Sequence, residues 1–202
     1  MSSHFYAMLF RMKYIERWGL MRNTRPENLS EHSLETAFIA HALALIGSRR
    51  LGRDLDPGRA ALLAMFHDAP EIITGDLPTP VKYFSAHTAG AYKQTEAAAA
   101  ERLLGLLPDD LRPDYAGLLA GDEAYRPLIK AADKLSAYIK CIQEEKMGND
   151  EFRVAGETIR RAVEEMKLPE ADIFMAEFLP GFRLTLDELT GGQACETDKS
   201  RV

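Results

Sequence analysis

The sequence predicts an all-α fold, organised as one helical domain over residues 1–190. Three observations carry this prediction: apolar residues recur at helical rather than alternating spacing, glycines and prolines separate those stretches, and β-branched runs are scarce. With 202 residues, of which 46% are hydrophobic and 28% charged, the chain has the size and composition of one globular domain. No linker-like stretch divides it.

The first two predicted helices flank a polar stretch. Residues 5–18 form an amphipathic segment that Gly19 ends. Asn28 or Ser30 then caps a second helix, and Glu31 completes a capping box if Asn28 is the cap. The predicted core stripe of this second helix consists of Leu34, Ala37, Phe38, His41 and Leu45.

The third helix is predicted to begin near Pro57 and to run to Thr74, where Gly75 ends it. After it, Pro78 and Pro80 predict a stiff loop instead of a helix. Residues 191–202 have no apolar periodicity and are predicted to be a disordered tail. Further helices are predicted at 88–107, 109–120, 126–147, 150–166 and 170–189, the last broken near residues 180–181.

Charge and hydropathy restrict the possible partners. The net charge is −6, from 31 acidic and 25 basic side chains, which argues against a protein that binds nucleic-acid polymers. No window approaches the roughly 18 apolar residues of a membrane span, and the N-terminus lacks the pattern of a secretory signal. Cys141 and Cys195 have neither disulfide nor metal-ligand spacing. We therefore expect a cytoplasmic protein with reduced thiols and no membrane partner.

The third helix carries the most informative polar residues. His67 and Asp68 are adjacent, and Glu71 follows them by four and three residues, which would place it on the same helical face. Polar residues at the end of an apolar helix are costly to bury unless they are paired or ligated. His32 on the second helix and Asp133 beside the apolar stripe of a later helix complete a set of two imidazoles and two carboxylates. Such a mixed set suits a divalent transition metal.

Each of these residues also has a simpler interpretation. A single histidine near a helix start, such as His32, is more often a cap or core residue. Asp133 alone could be the salt-bridge partner of Lys130 or Lys134. The joint occurrence of His, His-Asp and Asp on three separate helices is what favours a metal site.

The order His32, His67-Asp68, Asp133 resembles the HD-domain metal-dependent phosphohydrolase superfamily, an all-helical fold. Pro70, which follows Ala69, departs from the expected pattern and can bend the helix, but it changes no presumed ligand. The flanking segments are most similar to bacterial HD-domain 5′-deoxynucleotidases at Arg17-Trp18, Met21-Arg22-Asn23, Glu31-His32-Ser33-Leu34, Ala61 to Met65, His67-Asp68-Ala69, Thr74 to Phe84, and Lys130-Ala131-Ala132-Asp133.

The resemblance implies hydrolysis of deoxyribonucleoside 5′-monophosphates by one divalent metal ion, such as Co²⁺, Mn²⁺ or another transition metal. It implies a small nucleotide substrate and a homodimer, for which the apolar segment Phe174 to Phe182 serves either packing or an interface. Glu71 would orient a water or move its proton. The implied metal ligands are His32, His67, Asp68 and Asp133, and the implied substrate-binding residues are Arg17, Trp18, His32, Asp76, Leu77, Pro78, Thr79 and Asp133.

Two other functions stay open from the sequence. The same fold could belong to a phosphodiesterase or to an enzyme that cleaves nucleoside triphosphates or ppGpp, or the metal could serve a non-catalytic ligand-sensing module. The short length and the Asp76 to Thr79 segment favour the monophosphatase, and Glu71 with Arg17 favours an enzyme. The local alternatives are an exposed Glu71, a Trp18 that only packs in the core, and an Asp76 that only ends a helix.

Overall fold

The computed structural model describes residues 2–191, and it confirms the all-α prediction. Within this range the only extended pairing is an isolated antiparallel bridge between Glu16 and Asn28. The predicted tail from residue 192 onward, with Cys195, lies outside the described residues. The helices are α1 (Phe5–Leu9), α2 (Leu29–Arg50), α3 (Pro57–Phe66), α4 (Glu71–Thr74), α5 (Thr79–Lys82), α6 (Ala86–Leu104), α7 (Arg112–Ala120), α8 (Arg126–Lys146), α9 (Arg153–Glu164), α10 (Pro169–Glu177) and α11 (Leu186–Leu189), with 3-10 helices at Phe10–Tyr14, Asp150–Phe152 and Leu179–Arg183.

Helix α2 is central, because α3, α8 and α10 all pack against it. It begins as the sequence predicts. The Asn28 side chain accepts hydrogen bonds from the backbone N–H groups of Ser30 and Glu31, and Glu31 reaches back to the N–H of Asn28. This capping box fixes the point at which the chain enters the core, one turn before His32.

The predicted core stripe of α2 is wrong. Leu34, Phe38 and Leu45 are 49%, 66% and 40% exposed, His41 is also exposed, and only Ala37 of the five is buried. The buried face combines four large apolar residues with small residues that let neighbouring helices approach closely. It contains Leu29, His32, Ser33, Thr36, Ala37, Ile39, Ala40, Leu43, Ala44, Ile46 and Gly47.

The third predicted helix is interrupted. Helix α3 ends at Phe66, residues 67–70 form a turn, and α4 begins at Glu71. Pro70 has no N–H to donate, and it disfavours helical backbone at the residue before it. Glu71 therefore does not share a helical face with His67 and Asp68, contrary to the prediction. It stays close to Asp68, because the Glu71 N–H donates to the Asp68 carbonyl at 2.9 Å.

The segment with two prolines also differs from the prediction. Only residues 75–78 are loop, and Thr79 begins the helical turn α5. Pro80 lies in the first turn of α5, where a missing N–H leaves no helical hydrogen bond unmade. Among the described residues, no helix has both the length and the hydropathy needed to span a membrane.

Candidate active site

The structure brings the four predicted metal ligands together from three segments: the first turn of α2, the turn after α3, and the middle of α8. Nε2 of the fully buried His32 lies 3.1 Å from Oδ1 of Asp133 and 3.5 Å from Oδ2 of Asp68. Nε2 of His67 lies 3.1 Å from Oδ2 of Asp68 and 4.0 Å from Oδ1 of Asp133. We call these four residues the His-Asp cluster.

The His-Asp cluster fits a divalent ion. Nδ1 of His67 lies 2.7 Å from the Ala64 carbonyl and donates to it, which leaves Nε2 as the nitrogen that can bind an ion once it has given up its proton. This buried atom has no hydrogen-bond partner. Ligand atoms of His32, His67 and Asp68 all lie within 4.8 Å of one another. Adjacent ligands on an ion with bonds of about 2.1 Å are roughly 3 Å apart, close to the observed spacings. Asp133 stands outside that group of three but approaches both histidines.

In the His-Asp cluster, opposite charges together shift the pKa values of the side chains more than burial does. Burial alone would lower the pKa of His67, but the Asp68 carboxylate raises it to about 9. Burial alone would raise the pKa of Asp133, yet hydrogen bonding to His32 and the charges of both histidines hold it well below its usual range. Both carboxylates therefore stay ionised and favour positive charge between them.

Glu71, the predicted catalytic residue, is buried and not exposed as the simpler interpretation would have it. Its side chain is 5% exposed, Oε1 lies 3.6 Å from Nζ of Lys82, and the buried Oε2 has no hydrogen-bond partner. Burial raises the pKa of Glu71 to about 8, and the carboxylates of Asp68 and Asp76 add to the shift. A carboxylate with a pKa near neutrality can both accept and return a proton.

Arg17 and Trp18 lie beside the His-Asp cluster, and both also line a neighbouring cavity. Nη1 of Arg17 is 3.5 Å from Oδ2 of Asp68. The Trp18 indole N–H donates to Glu27 at 2.7 Å, and its ring packs edge-on against Phe152 with centroids 5.3 Å apart. Trp18 thus both packs on the core and borders the candidate site.

Most of the predicted substrate-binding residues line one cavity of about 520 Å³. His32 does not line it, since that residue is fully buried, and Glu71 does not line it either. A larger cavity of about 790 Å³ elsewhere is lined by none of the four cluster residues. The predicted residues that line the smaller cavity are Arg17, Trp18, Asp76, Leu77, Pro78, Thr79 and Asp133.

Two site residues escaped the sequence interpretation. Glu27 lies in the polar stretch before α2, where no spacing pattern signals burial, yet it is 7% exposed. Lys82 received no separate role from the sequence, but its side chain is only 25% exposed and pairs with Glu71 and, at 2.9 Å, with Glu96. Lys82 lies in the segment from Thr74 to Phe84, whose resemblance to the family was the available signal that Lys82 lies near the site.

Residues 4–182 match the family model described as YfbR-like 5′-deoxynucleotidase. The chain belongs to this family. A Vibrio parahaemolyticus protein named as a 5′-deoxynucleotidase is 48% identical over 192 residues, which cover 94% of this chain and 99% of that protein. The HD-domain and deoxynucleotidase resemblance read from the sequence is therefore confirmed.

Solved structures extend the comparison of this YfbR-like chain to its fold. An HD-domain phosphohydrolase from Listeria innocua superposes with a TM-score of 0.76 at 19% identity, covering 89% of this chain and 88% of that one. The cyanophage S-2L HD phosphohydrolase, bound to dA and one catalytic Zn²⁺ ion, gives a TM-score of 0.60 at 21% identity over 89% and 96% of the two chains. The single-domain HD fold predicted from the sequence is confirmed.

Proposed function

We propose that this YfbR-like protein hydrolyses deoxyribonucleoside 5′-monophosphates to deoxynucleosides and inorganic phosphate. One observation carries the proposal: Asp133 belongs both to the His-Asp cluster and to the cavity lined by Arg17, Trp18 and the Asp76 to Thr79 segment. A nucleotide in that cavity would present its phosphate to the cluster. The names of the relatives support the same activity.

We propose His32, His67, Asp68 and Asp133 as the ligands of one divalent ion. Two imidazoles and two carboxylates suit Mn²⁺, Co²⁺ or Zn²⁺. When bound there, such an ion supplies Lewis-acid stabilisation of charge on the phosphate and lowers the pKa of water. Activity of metal-stripped protein after addition of different divalent ions will identify the ion.

The surrounding residues supply the other parts of a phosphomonoesterase. The Arg17 guanidinium can bind two phosphate oxygens at once, as its planar geometry favours. Glu71 is the residue we assign to the attacking water: it takes one proton as the new P–O bond forms, and the leaving 5′-oxygen, on the opposite side of phosphorus, takes a proton from solvent as the old bond breaks. Lys82, 3.6 Å from Glu71, holds that carboxylate in place.

We assign discrimination against ribonucleotides to the segment from Asp76 to Thr79. Pro78 restricts its backbone, and the helical turn α5 that begins at Thr79 anchors its end. A wall held in this way cannot yield to an extra 2′-hydroxyl. Asp133, which lines the cavity, would contact the substrate phosphate as well as the ion, whereas the fully buried His32 would hold only the ion.

We also propose a cytoplasmic homodimer. The exposed side chains of Leu34, Phe38 and Leu45 form an apolar face on α2 that no other described element covers, the kind of face that marks an interface. In the Phe174 to Phe182 segment, Phe174 is buried whereas Phe178 is 44% exposed, so that segment packs and also contributes apolar surface. The buried thiol of Cys141 is free, as is usual in a reducing compartment.

The test is phosphate release from a panel of deoxyribo- and ribonucleoside 5′-monophosphates, using metal-stripped protein resupplied with Mn²⁺, Co²⁺, Mg²⁺ or Zn²⁺. The proposal expects release from the deoxy series, dependence on added metal, and much slower release from the ribo series. Cleavage of bis(p-nitrophenyl) phosphate without cleavage of any monoester would instead indicate a phosphodiesterase. No release from any substrate would contradict an enzymatic role.

A further inference from the structure

Glu27 is a buried carboxylate to which the mechanism above gives no role, yet three residues of the candidate site surround it. Its Oε2 accepts the hydrogen bond from Trp18 Nε1 at 2.7 Å. Its Oε1 lies 3.4 Å from Nε of Arg17 and 3.5 Å from Nδ1 of His32. One carboxylate therefore contacts both residues assigned to the phosphate side and one proposed metal ligand.

The backbone fixes Glu27 relative to Arg17. The Arg17 N–H donates to the Glu27 carbonyl at 2.9 Å, and the Leu29 N–H donates to the Ile15 carbonyl at 2.9 Å. These two bonds flank the isolated bridge and join the segment before Trp18 to the segment that enters α2. The Glu27 carboxylate is held at a set position beside the site.

Trp18 has a backbone that requires such support. Its φ of +60° lies in the left-handed region, which is rare for a bulky residue and costs on the order of 1–3 kcal/mol. Such a conformation persists only where the surroundings impose it. The hydrogen bond to Glu27 and the edge-on packing against Phe152 restrain the indole from two sides.

His32 is restrained in a comparable way. Its Nε2 faces the carboxylates of the His-Asp cluster, while Nδ1 faces Ser136 Oγ at 3.2 Å and Glu27 Oε1 at 3.5 Å. A carboxylate behind a metal-binding histidine fixes the orientation of the ring and raises its basicity as a ligand.

We propose that Glu27 is the positioning residue of this site, which directs Arg17 toward the phosphate, Trp18 against the cavity and His32 toward the metal. This inference rests on the proposed function. Glu27 does not touch the reacting atoms; it acts through the three residues that it contacts.

The first test compares Glu27→Gln with Glu16→Gln, a matched change at an exposed glutamate nearby. The amide that replaces the Glu27 carboxylate keeps the shape and one acceptor for the Trp18 N–H, but it loses the charge facing Arg17 and His32. We expect the KM for a deoxynucleoside monophosphate to rise and the affinity for Mn²⁺ to fall, each by about 10–100-fold. The control should match the wild type. A purely structural role would lower the fraction of folded protein and leave KM unchanged, which would overturn the inference.

The second test uses Trp18 as a probe, because it is the single tryptophan of the chain. In metal-free protein, Glu27→Ala removes the indole acceptor, so the emission maximum should move to longer wavelength and acrylamide quenching should increase. Glu27→Gln should keep an emission spectrum close to that of the wild type. A folded Glu27→Ala protein with unchanged emission would overturn the inference, and if this variant does not fold, the Glu27→Gln measurements decide.

The outcomes separate this inference from the proposed function. Wild-type protein that releases no phosphate from any deoxynucleotide contradicts the proposed function, while Mn²⁺ affinity and Trp18 emission still decide the role of Glu27. Active wild-type protein with an equally active Glu27→Gln variant, unchanged in KM and in Mn²⁺ affinity, contradicts only the role of Glu27.

Discussion

Helix α8 carries clustered polar groups in two places, about two turns apart. Toward its C-terminus, Glu144 is 1% exposed and ion-paired with Lys140. Glu144 also accepts hydrogen bonds from the Thr24 N–H at 2.9 Å, the Thr24 hydroxyl at 2.6 Å and the Asn149 amide at 2.8 Å, and Lys140 donates to the Arg25 carbonyl at 2.5 Å. We call this the Lys-Glu cluster; its members satisfy one another.

Nearer the middle of α8, Asp133 belongs to a group of polar residues in which some hydrogen-bonding atoms have no partner. The buried atoms Arg17 Nε, Glu27 Oε1, His67 Nε2 and Glu71 Oε2 have no hydrogen-bond partner. Buried polar atoms are rarely left in this state without a reason, which at a binding site is a ligand. Buried atoms without a partner also occur away from this group, at Asn23 Oδ1, Ser33 Oγ and Glu170 Oε2. Unmet bonding capacity therefore marks a site only where, as around Asp133, several such atoms gather beside facing imidazoles and carboxylates.

The largest expected effect is on catalysis at the His-Asp cluster. Asp133→Asn keeps the shape but removes a proposed anionic ligand, so kcat/KM for a deoxynucleoside monophosphate should fall by roughly 10³-fold or more, because a metal ion contributes several kcal/mol to the transition state. The melting temperature of the metal-free protein should fall modestly, because the amide at position 133 does not pair as an anion with the two histidines, but the protein should stay folded. Phosphate release and thermal unfolding measure the two effects, and a fully active Asp133→Asn protein would refute the ligand assignment.

The corresponding change in the Lys-Glu cluster should affect stability. Glu144→Ala leaves the buried Lys140 ammonium without its partner, and removing one member of a buried ion pair costs about 3–5 kcal/mol of unfolding free energy. Urea unfolding measures it, with Gln143→Ala at an exposed neighbouring position as the control. The folded Glu144→Ala protein should keep near-normal kcat/KM; a specific loss of kcat/KM would place Glu144 in the active site.

A change at Glu71 tests whether the candidate active site contains a proton-transfer group as well as metal ligands. Glu71→Gln should lower kcat by about 10²-fold, because a positioned acid-base group contributes on that scale, while the affinity for Mn²⁺ stays close to that of the wild type. Glu101→Gln, at an exposed position on α6, is the matched control. Unchanged turnover in Glu71→Gln would show that its assigned role is wrong.

The smallest expected effect is the response of the Lys-Glu cluster to acid. Burial alone would raise the pKa of Glu144, but hydrogen bonds from Lys140, Thr24 and Asn149 lower it to about 2 from an ordinary 4.5. Because the folded-state pKa is the lower one, this stabilisation is present above about pH 4.5 and is lost as the pH falls toward 2. Urea unfolding at pH 5, 4 and 3 should show a steeper loss for the wild type than for Glu144→Gln. Equal slopes would contradict the shifted pKa.

The sequence predicted which polar residues meet better than it predicted the local structure around them. His32, His67, Asp68 and Asp133 were chosen as a set that suits a metal, and they do lie close together, while their role as ligands stays a prediction. Glu71 does not share a helical face with His67 because α3 ends at Phe66, before Pro70, and helical period alone does not show where a helix ends.

The packing faces were harder to predict. The stripe chosen on α2 contained Phe38, its largest apolar residue, which is 66% exposed, whereas the fully buried Ala40 and Leu43 lie on the packed face. Which face is buried depends on where α3, α8 and α10 approach, and that is information from distant parts of the chain. Glu27 could not have been predicted for the same reason: its burial depends on Arg17, Trp18 and His32 meeting around it.

Calorimetric titration of metal-free protein with Mn²⁺ tests the metal assignment most directly. We expect one ion per chain in the wild type, no binding at the same concentrations in His67→Ala, and one ion per chain in Glu144→Gln, where only the Lys-Glu cluster is altered. A wild-type protein that binds no ion, or a His67→Ala protein that binds as the wild type does, would contradict the account.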